Sequence, residues 1–402
     1  MSDKSSSTLQ QRVLAAFARL WPGDTPSLVV RAPGRVNLLG GHVDMHGGLV
    51  ITIALDRGVW LAAAPARDGM SVLYAADLDA SAALSHDLQA LAAQTDPDGQ
   101  PLPDWARYPA GVLWAMSRRH LVAPGLRAAY AGDLPIGAGL SSSAAVEVAF
   151  AVAWTAGAGW ALTPGDLAGV TLDAERDYLG LGIGIQDQYT VLHARPDCAL
   201  YLDCRSLVHE YLPLPTTATV VICDTNTRRQ LVGSGYGSRT RDAHEAARLL
   251  RERDPAIRTL RDVTLEQLDE HRPMLGEARY CRARHVVSEI ARVQQAADAL
   301  RRGDVDAFGA LMNESYHSAR DDYGSSSPAL DAMWAAATAQ PGCYGARYSG
   351  GGEAGAVVAL VASASVPDFL AGVATAYERL TGRQGVFFAA QPVAGAEVWE
   401  CA

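Results

Sequence analysis

The sequence predicts an α+β chain folded as two lobes, and three observations carry that prediction. An amphipathic helical start is followed by a block of strand-like stretches and then by helical runs, the order expected of an α+β protein. A chain of 402 residues exceeds what one simple core fills. The stretch YLPLPTT, residues 211–217, places two prolines just ahead of the strand-like ATVVICD and reads as a junction. It divides the chain into an N-terminal lobe of residues 1–210 and a C-terminal lobe of residues 211–402.

In chain order, a first amphipathic helix covers about residues 8–20. β-Branched and apolar runs then predict strands around 28–32, 49–55 and 58–64, the last two as a pair. QTDPDGQPLPD, residues 94–104, with three prolines and three aspartates, is a surface loop. WARYPAGVLWAM begins a helix, and PIGAGLSSSAAVEVAFAVAW gives a glycine-rich loop running into an apolar one. Past the junction, RHVVSEIARVQQAADALRRGD lines up Val286, Ile290, Val293, Ala297 and Leu300 on one helical face that ends at Gly303. AVVALVA, residues 356–362, is a strand. There is no internal repeat and no low-complexity tract.

Composition narrows the function. With 49% hydrophobic and 19% charged residues the chain is of soluble globular type. A net charge of −10 argues against nucleic acid and anionic membranes as partners. The start, MSDKSSSTLQQ, lacks the apolar core of a signal peptide, and no stretch has 18 uninterrupted apolar residues, so the expected location is cytoplasmic. The six cysteines show neither CxxC pairing nor a disulfide-framework spacing, which predicts buried free thiols and no structural zinc. Lys4 is the only lysine. A phosphate-handling site on this chain therefore has no Walker A lysine and no protein-kinase lysine, and must use backbone amides, arginine and metal.

Four segments carry candidate chemistry. In GRVNLLGGHVDMHGG, residues 34–48, Arg35, His42, Asp44 and His46 stand on a segment leading into the core, where something polar must satisfy them. In PIGAGLSSSAA, residues 135–145, Gly137 and Gly139 precede Ser141, Ser142 and Ser143 at the entry of a helix, an anion-binding end. One serine would serve as a cap; three exceed that need. GARYSGGGEAGAVVAL, residues 345–360, has three consecutive glycines before a strand and is a candidate second wall of a nucleotide site. ERDYLGLGIGIQDQYT, residues 175–190, places Glu175 near a helix end and Asp187 in a glycine-rich, largely apolar context where a carboxylate is costly unless paired or functional.

In this order and spacing, these segments resemble the signature motifs of the GHMP small-molecule kinases, and specifically their galactokinase branch. APGRVNLLGGHVDMHGG resembles the segment that begins the sugar site, LPIGAGLSSSAA the phosphate loop, and GIQDQ the segment of the proposed catalytic aspartate; NTRRQLVGSGYGSRTRD, MNESYHSARDDYGSSSPALD and ARYSGGGEAG are similar to later blocks. The resemblance implies a lobe like the second domain of ribosomal protein S5 followed by a ferredoxin-like lobe, with the active site between them. It implies ATP and Mg²⁺ as cofactors, Ser143 and Glu175 as the metal ligands, and Gly137, Ala138, Gly139, Leu140, Ser141 and Ser142, with Gly350 and Gly351 opposite, as the phosphate cradle. Asp187 corresponds to the base at the anomeric hydroxyl, and Arg35 to the arginine that stabilises charge on the transferring phosphoryl group. Gly41, His42, Asp44, Met45, Gly184, Gln186 and Tyr236 correspond to the sugar pocket. The implied partners are ATP and a small sugar, for a monomer or homodimer.

The sequence departs from that pattern at the sugar. Where the family usually reads GEHxDY, this chain has Gly41-His42-Val43-Asp44-Met45; Gln186 replaces a methionine and Gly235 a glutamate. The lost glutamate at position 41 is the family's grip on the C6 hydroxyl. The expectation is therefore a galactose-like substrate enlarged or anionic at C6, such as a heptose, an octose or octose phosphate, or galacturonic acid, with Arg228, Arg229, Arg239 and Arg241 as cations available to it. The alternatives are a plain galactokinase and a non-catalytic sugar sensor; a kinase of mevalonate or homoserine is disfavoured by the later blocks.

Overall fold

The computed structural model describes residues 2–66, 69–228 and 236–401, and the side chains within them except at 2–7 and 236. The strands are β1 (Leu28–Leu39), β2 (Leu49–Pro65), β3 (Ser71–Ala75), β4 (Ala80–Leu84), β5 (Leu126–Gly132), β6 (Cys198–Asp203), β7 (His209–Pro213), β8 (Ala218–Asp224), β9 (Cys343–Tyr348), β10 (Ala356–Ala362), β11 (Val386–Ala390) and β12 (Glu397–Glu400). The helices are α1 (Ser2–Leu20), α2 (Leu88–Ala92), α3 (Asp104–Arg118), α4 (Ser142–Ala158), α5 (Pro164–Asp173), α6 (Gln186–His193), α7 (Tyr236–Arg251), α8 (Leu265–Leu275), α9 (Glu277–Arg301), α10 (Val305–Asp321), α11 (Pro328–Thr338) and α12 (Val366–Thr381).

Two sheets organise these elements, as the α+β prediction requires. The first has the order β12-β1-β2-β5-β3-β4, with β6 and β7 continuing from the other end of β2. The second is antiparallel in the order β11-β8-β10-β9. The first sheet is apolar on both faces because both are covered. Val29, Trp60, Ala62 and Ala129 meet Val13 and Phe17 of α1. Their alternating neighbours Val30, Leu61, Ala63 and Ala128 join the cluster that holds Val148, Phe150 and Trp154 of α4. In the second sheet Val221, Cys223, Val357 and Ala359 pack on α10, α11 and α12 through Tyr316, Met333 and Phe369.

Two expectations need correction. Residues 49–65 form one long strand rather than a pair: no residue between Leu49 and Pro65 takes the positive φ that a tight hairpin turn needs. Instead β2 runs antiparallel to β1 over most of its length, with Ile51 opposite Leu39 and Ala63 opposite Leu28. All six cysteines are free, but only Cys223 is buried, and Cys401 is exposed. The closing strand is the element least visible from local sequence pattern. β12 pairs with β1, placing Glu400 opposite Leu28, and Trp399 stacks on Trp60 with ring centroids 5.5 Å apart. Among the described residues no helix is long and apolar enough to cross a membrane.

Candidate active site

Arg35 lies midway along β1 and is 4% exposed. From there it reaches Asp187 in the first turn of α6, with Nη2 and Nε at 2.5 and 2.8 Å from Oδ1, while Nη1 donates to the Gly139 carbonyl at 2.8 Å. The other oxygen of Asp187, Oδ2, accepts from the Ser141 hydroxyl at 2.5 Å. Ser141 precedes α4 in a left-handed conformation, φ 58°, and makes no side-chain cap. Its hydroxyl is committed to the aspartate. One arginine and one serine therefore tie three segments of sequence to a single carboxylate.

The two glycine-rich loops touch backbone to backbone. Gly139, at φ 76°, faces the Ser349 carbonyl so closely that a Cβ would overlap it, and the Ser349 hydroxyl donates to the Gly139 carbonyl at 3.1 Å. Ala356 N–H donates to the Ala138 carbonyl at 3.0 Å. Ala138 and Leu140 turn their side chains into the core, so they offer the cradle only backbone, whereas Gly137 is exposed. Ser142 and Ser143 open α4, where first-turn amides lack intrahelical acceptors. Gly350 and Gly351 stand opposite, half-buried.

Ser143 and Glu175 also come together. Glu175 sits in a π-turn, Ala174–Tyr178, that follows α5 and brings its carboxylate inside, hydrogen-bonded by Ser143 and by Gln188 Nε2, the latter at 2.5 Å. Burial, then the Asp187 charge, pushes its pKa up to about 7. The same causes act on Asp44, raised to about 6. Behind them Glu147, on α4, is fully buried and held well above the ordinary carboxylate range by burial and by Glu175. Two hard oxygen donors beside a cluster of carboxylates short of cations suit a divalent metal that bridges phosphates.

The sugar motif is clamped from behind. His42 takes a left-handed conformation, φ 62°, its ring stacking on Tyr323 at 4.3 Å with Nε2 3.2 Å from the Tyr348 hydroxyl. Gly40 and Gly41 N–H donate to Glu289 of α9 at 2.9 and 3.2 Å, and the Gly41 carbonyl lies 3.1 Å from His285 Nε2. Burial holds His285 neutral, with its pKa lowered to about 4. Asp44 lies directly over Gly184, where a Cβ would strike its carboxylate. Gln186 Oε1 accepts from Asn37 at 2.6 Å, and Asn37 in turn accepts from Arg347. Met45 is half-buried.

The structure thus brings together Arg35, Asp187, the Gly137–Ser143 loop, Glu175, Gly350, Gly184, Gln186, His42 and Asp44. His46 is different: it packs on His244 with ring centroids 4.7 Å apart, and burial lowers its pKa to about 3. The Tyr236 side chain, with Arg229 and Gly235, lies outside the described residues. Two cations expected to serve an anionic sugar already have partners: Arg228 pairs with Asp224 at 3.0 Å and Arg239 with Glu353 at 2.7 Å. Sequence reasoning gave no role to Asn37, His285, Glu289, Tyr323, Arg347 and Tyr348, although Asn37, Tyr323, Arg347 and Tyr348 lie inside the motif segments; His285 and Glu289 stand in a helix with many other polar residues.

The family model described as the galactokinase galactose-binding signature matches residues 15–65, and those of the GHMP kinase N-terminal and C-terminal domains match residues 107–195 and 296–377. A galactokinase of Roseiflexus sp. is 40% identical over 366 residues, 91% of either chain. The chain belongs to the galactokinase branch of the GHMP kinases. Human galactokinase is 39% identical over 383 residues, 94% of this chain and 93% of its own. The crystal structure of Lactococcus lactis galactokinase complexed with galactose superposes with a TM-score of 0.89 at 30% identity, covering 98% of this chain and 99% of that one. A mevalonate kinase structure, at 16% identity and a TM-score of 0.62, shares the fold. This member of the galactokinase branch is accordingly a sugar kinase of GHMP fold, with ATP as phosphoryl donor. The enlarged or anionic substrate expected from Gly41 finds no support among these relatives.

Proposed function

We propose that this chain is a plain galactokinase, transferring the γ-phosphoryl group of ATP to the anomeric hydroxyl of D-galactose. The single observation that carries the reading is the placement of Asp187, held by Arg35 and Ser141 between the phosphate loop and the segment of His42 and Asp44. Relatives named galactokinase that align over nine-tenths of the chain support galactose over an extended or acidic sugar.

In this reading the sugar's 1-hydroxyl donates to Asp187, which takes its proton as the new O–P bond forms, while ADP departs with the electrons of the broken bond. Phosphoryl transfer of this kind needs little base, so fixing the hydroxyl in line is the larger part of the carboxylate's work. Arg35, bound to Asp187 and to the Gly139 carbonyl, keeps that carboxylate aligned with the loop and sets a positive charge beside the moving group. Gly137–Ser142 offers backbone amides to the β- and γ-phosphates, with Gly350 and Gly351 opposite. Ser143 and Glu175 would hold Mg²⁺, which supplies charge neutralisation on the phosphates. His42 and Asp44 meet sugar hydroxyls.

A coupled ATPase screen over galactose, galacturonate, arabinose and higher-carbon sugar phosphates tests the substrate, and product NMR tests the position. Galactose should give the highest kcat/KM, with phosphorus coupled to the anomeric proton. Preference for a C6-extended or acidic sugar, or phosphate on a primary hydroxyl, would overturn the proposal.

A further inference from the structure

Gln188, in the first turn of α6, is fully buried. Its Nε2 donates to Glu175 Oε2 at 2.5 Å, while its Oε1 is enclosed without a hydrogen-bonding partner among the described residues. The amide cannot be turned round, because Oε1 would then face a carboxylate oxygen. Half of its bonding capacity stays unused so that the other half can meet Glu175. A buried acceptor without a donor lowers stability, and a side chain kept in that state points to a task beyond packing.

Glu175 needs a hold from outside its own segment. It stands in the π-turn Ala174–Tyr178, where the helical ladder that follows α5 widens, a distortion frequent at functional sites. Two side-chain donors reach its carboxylate, Ser143 and Gln188. Ser143 is the other residue assigned to the metal, so it cannot guide Glu175 independently of the ion. Gln188 is bound to Glu175 whether or not an ion is there.

The helix that carries Gln188 also carries Asp187, whose two oxygens are taken by Arg35 and Ser141. Consecutive residues of a helix diverge by about 100°. The first turn of α6 therefore reaches the Arg35–Ser141 pair with one side chain and Glu175 with the next. One rigid turn registers the metal-side carboxylate against the carboxylate assigned to the sugar hydroxyl, and in-line transfer is sensitive to a misplacement of about 1 Å.

We propose that Gln188 is a positioning residue that fixes the Glu175 carboxylate for Mg²⁺. The inference rests on the reading of Ser143 and Glu175 as the metal's ligands, and it adds the residue that aims one of them.

The test uses Mn²⁺ as a spectroscopic stand-in for Mg²⁺. Electron paramagnetic resonance titration gives the Mn²⁺ affinity of the enzyme–ADP complex in the wild type and in Gln188→Leu. The variant should bind Mn²⁺ roughly 10-fold or more weakly, the usual effect of removing a partner of a ligating group. The Mg²⁺ concentration for half-maximal rate should rise in step, while metal-free ADP affinity, read by calorimetry, and KM for the sugar stay unchanged. A Gln188 that merely packs would leave Mn²⁺ affinity alone, or would weaken metal-free ADP and sugar binding by the same factor; either result overturns the inference. A wild-type complex that holds Mn²⁺ no better than free ADP does overturns instead the assignment of Ser143 and Glu175. If Gln188→Leu does not fold, Gln188→Asn, whose amide falls one methylene short of Glu175, supplies the same comparison, and an unchanged Mn²⁺ affinity there is equally decisive against it.

Discussion

Asp187 receives hydrogen bonds on both of its oxygens, from Arg35 on one and from Ser141 on the other. Replacement by Asn preserves shape but presents an N–H to at least one of these donors and removes the charge proposed to receive the sugar's proton. Asp187→Asn should lower kcat by roughly 100-fold or more with the thermal midpoint little changed, read by steady-state kinetics beside calorimetry. Near-normal turnover would make Asp187 structural. Arg35, Asp187, Ser143 and Glu175 were legible in the sequence because each sits in a short segment whose glycines and apolar neighbours make a polar side chain conspicuous. The parts of Arg347 and Glu289 were not, because they act on residues about 310 and 250 positions away, a relation that no local pattern shows. Gly41 was read as vacated space; the structure fills that space from a distant strand.

At the scale of elements, α9 performs two tasks on two faces. Val286, Val293, Ala297 and Leu300 form the apolar face that the 3.6-residue period predicts, and all four are buried. His285 and Glu289, one turn apart and equally buried, hold the backbone of Gly40 and Gly41. Burial alone would raise Glu289, but the guanidinium of Arg292, then Arg347 and His285, bring it down to about 2. A carboxylate whose folded pKa lies below its unfolded value adds stability that is complete above the unfolded value of 4.5 and is lost as pH falls through about 2. The difference corresponds to about 3 kcal/mol. Urea midpoints should therefore decline between pH 4.5 and pH 2 in the wild type. In Glu289→Gln the midpoint should be lower at neutral pH and the decline shallower; an identical acid limb would remove Glu289 as its source. Periodicity revealed the apolar face of α9, but it carries no information about which polar residues on a helix will find a loop to bind. The long β2 strand was missed for a related reason: a strand is recognised by its turns, and the polar Asp56-Arg57 pair resembles one without having the backbone angles.

The whole molecule is closed by its last strand. Trp399 of β12, 42% exposed, stacks on the buried Trp60 at the margin of the first sheet. Trp399→Ala should destabilise the protein by about 1 kcal/mol, measured by urea unfolding, while leaving KM for the sugar unchanged. Loss of sugar binding in that variant would show that the margin and the site are coupled. The two-lobe α+β character was legible because strand blocks and helical runs are local signals; the return of β12 was not, because EVWE is four residues long and only its partner defines it. That return has a consequence for synthesis on the ribosome. β1 emerges about 360 residues before the strand that completes its edge. At ordinary translation speeds of about 5–20 residues per second, β1 waits roughly 20 to 70 s with an unpaired margin of backbone amides and carbonyls. The nascent chain carries an adhesive seam from the emergence of β1 until a strand about 360 residues further along the sequence comes out to seal it.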